Sequence, residues 1–277
     1  MARSTPTTLA LPPFEGATRR LVVWCVLTFF LFALMALLAP AAASFLLSHL
    51  ALTPRAVLHG EAWQLVTYIF MPVGLVGTLF AMLTLWFTGS MLEQSFGARW
   101  LFELFFTSAI GAAILASALS FTGLFHLSPT QIALGPYAGI FGLLVGIARF
   151  YGDQEFLLLF VLRIKAKYLV AIYILVNLAM LLTSRGAFTA LLQLAGAVAG
   201  FLFIRLAPRR GLAFGLTERL YGMRNEYYRV KRRRAARKFE VYMKGQNREV
   251  HFDKDGRYVD PESHGEKRDP NDRSWMN

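Results

Sequence analysis

Side chains able to move protons or hold ions are scarce in the apolar parts of this chain. Of its five histidines, none lies inside an apolar run long enough to cross a bilayer; His49, His59 and His126 fall between such runs. Glu93 and Glu103 stand near the ends of two runs, and Asn177 is the most polar group within another. An ion or proton pathway leaves Asp, Glu or His at mid-depth, so this pattern argues against a transporter or channel. The single cysteine, Cys25, excludes an intramolecular disulfide and a cysteine-based metal site. Asp253, Asp255, Gly256 and Glu262 approach the spacing of a calcium loop. His251 would take the first ligand position there and no flanking helix pair is evident, so no metal or cofactor is expected.

The elements that carry these residues are set by composition. Hydrophobic residues make up 56% of the chain, charged residues 17%, and the mean hydropathy is +0.46. Uncharged or nearly uncharged apolar runs occur at 21–38, 65–92, 104–125, 134–148, 168–184 and 187–204. A hydrocarbon core of about 30 Å needs about 20 helical residues, so six spans are expected, the fourth of them short. The predicted fold class is an all-α membrane protein. Residues 1–20 form an N-terminal segment, 21–206 a six-helix body, and 207–277 a basic tail with a helix near 217–243, a hairpin near 248–260 and a polar end.

Charge placement gives an orientation. Most of the 29 lysines and arginines follow Ile204; the segments that would face outward carry only Arg55 and Arg185. Positive-inside insertion then places both termini in the cytoplasm. Arg19-Arg20, an apolar run and Pro40-Ala41-Ala42-Ala43-Ser44 offer a competing reading as a cleaved signal peptide. A signal core is about 7–15 residues, shorter than 21–38, and cleavage would break the charge asymmetry, so an uncleaved first helix is expected.

Small residues mark where helices approach. Gly135, Gly139, Gly142 and Gly146 line the fourth run, and Gly196 and Gly200 form a G-x-x-x-G in the sixth. Without a Cβ, two backbones gain van der Waals contact that lipid cannot match, so these two helices should touch.

The motifs also carry a resemblance. The stretch 60–97 runs from a loop tryptophan through VTYIF to Gly89, Glu93 and Gly97, a G-x-x-x-E-x-x-x-G. GPYAGIFGLL (135–144), IKAKYLV (164–170) and QLAGAVAG (193–200) follow in order. Together they resemble the bacterial type of the rhomboid family of intramembrane serine proteases over roughly 20–205. The resemblance implies a six-transmembrane-helix rhomboid-like bundle in a bacterial inner membrane.

The departures fall on the chemistry that the resemblance implies. Tyr137 stands at the position of the serine nucleophile and Gln193 at that of the histidine base. Ala81 and Gly77 take the two second-helix positions that supply oxyanion donors, and Pro72 replaces a further loop histidine. Acyl transfer needs a nucleophile, a base within reach and placed donors. A glutamine amide is no base, and a phenol with a pKa near ~10 is a poor nucleophile without one. The expected protein is therefore an inactive, pseudoprotease-like member, which the resemblance implies binds transmembrane clients. A structural subunit of a larger membrane complex and an active protease using Ser90, Ser108 or Ser117 are the rival expectations. Tyr137 and Gln193 are expected to face each other and to hydrogen-bond across the fourth and sixth helices.

The tail adds a basic, helix-compatible cluster: Arg224, Arg229, Lys231, Arg232, Arg233, Arg234, Arg237 and Lys238. Juxtamembrane basic residues gain about 1 kcal/mol each near anionic lipid. Anionic headgroups or an acidic protein partner are expected there. No zinc spacing or RNA-binding pattern points to nucleic acid.

Overall fold

Within a bilayer the backbone must satisfy its own hydrogen bonds, so uncharged runs become helices. The computed structural model describes residues 12–158, 162–183, 186–206, 212–245, 250–252 and 258–259. In chain order these form α1 (Gly16–Leu38), α2 (Pro40–Leu50), α3 (Pro54–Leu58), α4 (Gln64–Thr67), α5 (Leu75–Phe96), α6 (Ala98–Ser120) and α7 (Tyr137–Phe150). A two-stranded hairpin, β1 (Glu155–Leu158) and β2 (Leu162–Lys165), leads to α8 (Ala166–Leu182) and α9 (Ala187–Leu206). After these come α10 (Leu212–Gly245) and a second strand pair, β3 (His251–Phe252) and β4 (Tyr258–Val259). The chain divides into two compact units, Met1–Leu212 and Ala213–Asn277.

Among the described residues four helices, α1, α5, α6 and α9, are long and apolar enough to cross a membrane. Helices α7 and α8, of 14 and 17 residues, occupy the other two expected runs but are shorter than a full span. The architecture is that of a mostly helical membrane protein.

The expected span 65–92 is broken. Its first part forms α4 and a 3-10 turn at Tyr68–Phe70, and α5 begins only at Leu75. Pro72 has no amide hydrogen to continue a helix, and Gly74 takes φ +84, which disfavours an L side chain. The helix then runs on past the expected end, to Phe96, carrying Glu93 inside it. Gly97, also at φ +84, turns the chain into α6, which starts six residues earlier than the apolar run suggested.

The core is built on α6, α7 and α9, which pack on one another; α1 lies against α5, and α8 against α7 and α9. Inward faces are small or tightly fitted: Leu101, Leu104, Phe105, Ala109, Ala112, Ala113 and Ala116 of α6 are fully buried. Outward faces are large and apolar, such as Trp24, Phe30 and Leu37 on α1 and Leu75, Val76 and Leu79 on α5. That inversion suits a lipid solvent, where burying apolar area gives no advantage and close packing does.

The segment between α1 and α5 is stitched to the strand of chain before α7. Leu52 and Ala133 exchange backbone hydrogen bonds of 3.1 and 3.0 Å, and the Gly135 amide donates to the Tyr68 carbonyl at 2.8 Å. Buried Gln64 holds this loop from within. Its Oε1 accepts from the Thr53 amide at 2.9 Å and its Nε2 donates to Glu61 Oε2 at 2.7 Å.

At the other end, Lys167 Nζ donates to Asp153 Oδ1 at 2.8 Å, and Lys165 lies 3.8 Å away. The Lys167 hydrogen bond, then the two charges, hold the Asp153 carboxyl below its ordinary value. The contact is therefore complete above about pH 4, the ordinary carboxylate value, and fades as pH falls through the lowered one. A carboxyl NMR titration should find the Asp153 midpoint displaced downward, and Lys167→Gln should return it toward normal. Asp153 is fully exposed, so salt should also weaken the effect.

The second unit, described by itself, consists of α10 and the antiparallel β3–β4 pair, with Phe239 and Phe252 in edge-to-face contact at 6.2 Å. All eight basic residues of the 224–238 cluster are exposed on α10. The Asp253, Asp255, Gly256 and Glu262 group and the polar end after 261 lie outside the described residues.

Candidate functional site

Tyr137 opens α7. Pro136 precedes it as the cap, and Gly135 at φ +88 turns the chain into the bundle. A side chain on Gly135 would collide with Val73, so the turn requires glycine twice over. The half-buried Tyr137 hydroxyl donates to the backbone carbonyl of Gly77 on α5 at 2.6 Å. It does not pair with Gln193, which is half-buried on α9 and makes no side-chain hydrogen bond among the described residues. This corrects the expected tyrosine–glutamine bond. The first turn of α7 lies against α5, and the phenol reaches a backbone acceptor there first.

A Cβ on Gly77 would stand 3.7 Å from the Tyr137 oxygen, an ordinary contact, so the phenol uses the Gly77 carbonyl and not the space left by its missing side chain. One turn on, Ala81 is fully buried. The space beside it is a cavity of about 10 Å³ lined by Cys25, Ile69, Met71, Pro72, Ala81 and Pro136, among others. That is room for about one water molecule. Of the five altered positions, Pro72 and Ala81 line this cavity, Tyr137 and Gly77 are joined by the hydrogen bond, and Gln193 takes part in neither.

The serines that might substitute as nucleophiles lack a base. Ser90 donates to the Pro13 carbonyl at 2.9 Å, and the hydroxyls of Ser108 and Ser117 are buried with no partner among the described residues. Among the described residues one serine–histidine contact exists, Ser48 to His49 Nδ1 at 3.2 Å at the end of α2. That nitrogen also lies 2.9 Å from the Phe45 carbonyl oxygen, which accepts only if Nδ1 carries the proton. A protonated Nδ1 cannot take the serine proton.

The glycines of α7 and α9 meet at one crossing with α6. A Cβ on Gly196 would run into the backbone of Ala138, and one on Gly142 into the side chain of Ser108. Gly200 faces the Gly142 Cα, Gly139 faces the ring of Phe105, and Gly146 faces Leu92 and Leu104. Sequence spacing alone did not single out Phe105 and Ser108, the α6 side chains that the glycines accommodate.

The G-x-x-x-E-x-x-x-G segment has a plain structural account. Glu93 accepts from the amides of Ala17 and Thr18, at 2.6 and 2.9 Å, and from the Thr18 hydroxyl at 2.7 Å. The free N–H groups and positive end of α1 thus receive a carboxylate from another helix. A Cβ on Gly89 would stand 2.9 Å from Thr18 Oγ1, and Gly97 supplies the positive φ that ends α5. Thr18 went unnoticed in the sequence; a threonine just ahead of an apolar run was the available signal.

Comparison with known proteins agrees with this geometry at the level of family. The family described as "Eukaryotic integral membrane protein (DUF1751)" matches residues 21–214. Rhomboid-like protein 19 of Arabidopsis thaliana is 30% identical over 159 residues, which cover 54% of this chain and 50% of that protein. The chain thus spans about half the length of this curated relative. Both findings support a rhomboid-like membrane protein. The eukaryotic description runs against the bacterial type and bacterial inner membrane expected from the motifs.

Proposed function

Since this chain belongs to the eukaryotic integral membrane protein family DUF1751, we propose that it is a non-proteolytic rhomboid-like protein that holds a transmembrane segment of another protein. The observation that carries this reading is the Tyr137–Gly77 contact between α7 and α5, beside a small cavity walled by α1, α5 and residues 69–72. Where a hydrolase needs a nucleophile beside oxyanion donors, the Tyr137 hydroxyl is committed to the Gly77 carbonyl. The adjoining cavity of about 10 Å³ is too small for a peptide bond and its attacking group. Ala81 and Gly77 offer no side-chain donor.

Six spans with both termini in the cytoplasm complete the proposed topology. Helices α7 and α8 would then be partial spans shielded by their longer neighbours. The client would contact exposed apolar faces of α5 and α8. The apolar side chains on offer are Val76, Leu79 and Phe80, exposed on α5, and Ile172 and Leu175, exposed on α8. The exposed basic face of α10 would rest on anionic headgroups.

The test is purification in mild detergent with a photoreactive residue at Leu79. The expected result is a crosslinked membrane protein of full length, with Tyr137→Phe changing its recovery. Labelling by a fluorophosphonate probe, or cleavage of a membrane-embedded peptide by the purified chain, would overturn the proposal.

A further inference from the structure

A second, larger cavity lies at the opposite end of the core, where α5, α7 and α9 end and α6 begins. It has a volume of about 500 Å³ and is lined by Phe96, Trp100, Arg149, Phe150, Phe201, Ile204 and Arg205. Its floor is aromatic: Phe96 stacks on Trp100 at 4.4 Å and packs against Phe150 at 4.5 Å, with Trp100 buried. Among the described residues its polar groups are two guanidinium groups, and no carboxylate lines it. The nearest acid along α6, Glu103, is engaged by Arg99 at 3.2 Å. Neither Arg149 nor Arg205 forms a salt bridge among the described residues.

A simpler account exists for the arginines: each stands in the last turn of an apolar helix, where a cation complements the helix dipole. That account explains their charge. It does not explain why both border one cavity of a size suited to a small-molecule group, floored by aromatic rings and with no acid among its described lining residues. Phe150, Phe201 and Leu202 are exposed beside it, so the cavity continues into the lipid-facing surface.

We infer that this cavity binds the phosphate headgroup of an anionic phospholipid, with its acyl chains along the exposed face of α9. The two guanidinium forks supply directed hydrogen bonds to phosphate oxygens, and the apolar flank selects a lipid over a soluble phosphate. The site is separate from the Tyr137–Gly77 contact and does not depend on the proposed client.

The experiment uses the full chain in nanodiscs of phosphatidylcholine with or without phosphatidic acid brominated in its acyl chains. Brominated phosphatidic acid should quench a tryptophan component that Trp100→Phe removes. The apparent affinity should fall at least tenfold in Arg149→Gln/Arg205→Gln. It should stay unchanged in Lys165→Gln/Lys167→Gln, which removes two cations that do not line the cavity. Should the double arginine variant fail to fold, judged by its melting midpoint in phosphatidylcholine alone, Arg149→Lys/Arg205→Lys replaces it and should weaken binding by losing the fork geometry. Quenching unaffected by the arginine changes overturns the inference. So does full occupation of the site by inorganic phosphate alone, which would mark it as a soluble-anion site.

Discussion

Gly196→Ala is expected to destabilise the folded protein by about 1–3 kcal/mol, the usual cost of forcing an extra carbon into a filled core. The new carbon would meet the carbonyl and Cα of Ala138, which belong to the backbone of α7 and cannot rotate away. Alanine itself favours a helix over glycine by about 1 kcal/mol, so any net loss measures the clash against that gain. Gly142→Ala has the same chemistry but a different obstruction, the side chain of Ser108, whose atoms can be removed. In a Ser108→Gly background the next atom from the new carbon is the Gly196 carbonyl oxygen at 3.6 Å, an ordinary contact. Gly142→Ala should therefore be largely rescued by Ser108→Gly, and Gly196→Ala should not. Unfolding midpoints in detergent decide the matter. Equal stability of Gly196→Ala and the native chain would mean that α7 and α9 do not cross at this point.

Glu93→Gln ranks next, with an expected loss on the order of 1.5–3 kcal/mol, typical of a hydrogen bond to a charged group. The amide keeps one acceptor oxygen but turns an NH2 toward donors that need an acceptor, and the charge at the start of α1 is lost. The damage should be local. Amide exchange should quicken at residues 17–20, while Tyr68, whose hydroxyl donates to the Ala109 carbonyl at 2.8 Å, keeps its environment. Thr18→Ala, which removes one of the three bonds, should give a smaller change in the same place. Unchanged exchange at residues 17–20 in Glu93→Gln would show that water serves the helix end as well as the carboxylate does.

Much of this molecule is written locally. Runs of apolar residues without charges can only be helices in lipid, so the places of the helices were legible even where their ends were not. The glycine spacing on α7 and α9 was legible for the same reason, since only bare backbone allows helices to meet so closely. The break within 65–92 was missed because hydropathy averages over Pro72 and Gly74, whose effect is on backbone angles and not on solvation.

What the sequence by itself determined is the chemical inventory: a membrane-soluble helical chain with a phenol and an amide where the resemblance implies a serine and an imidazole. What only the tertiary structure decided is the use of that inventory. The Tyr137 hydroxyl bonds Gly77 rather than Gln193, Glu93 caps a helix that starts 77 residues earlier, and Arg149 and Arg205 come to border one cavity. Composition and spacing fix what each segment can satisfy on its own. The partner each polar group finds depends on ångström-scale offsets between helices remote in sequence, and those emerge only when all the helices pack at once.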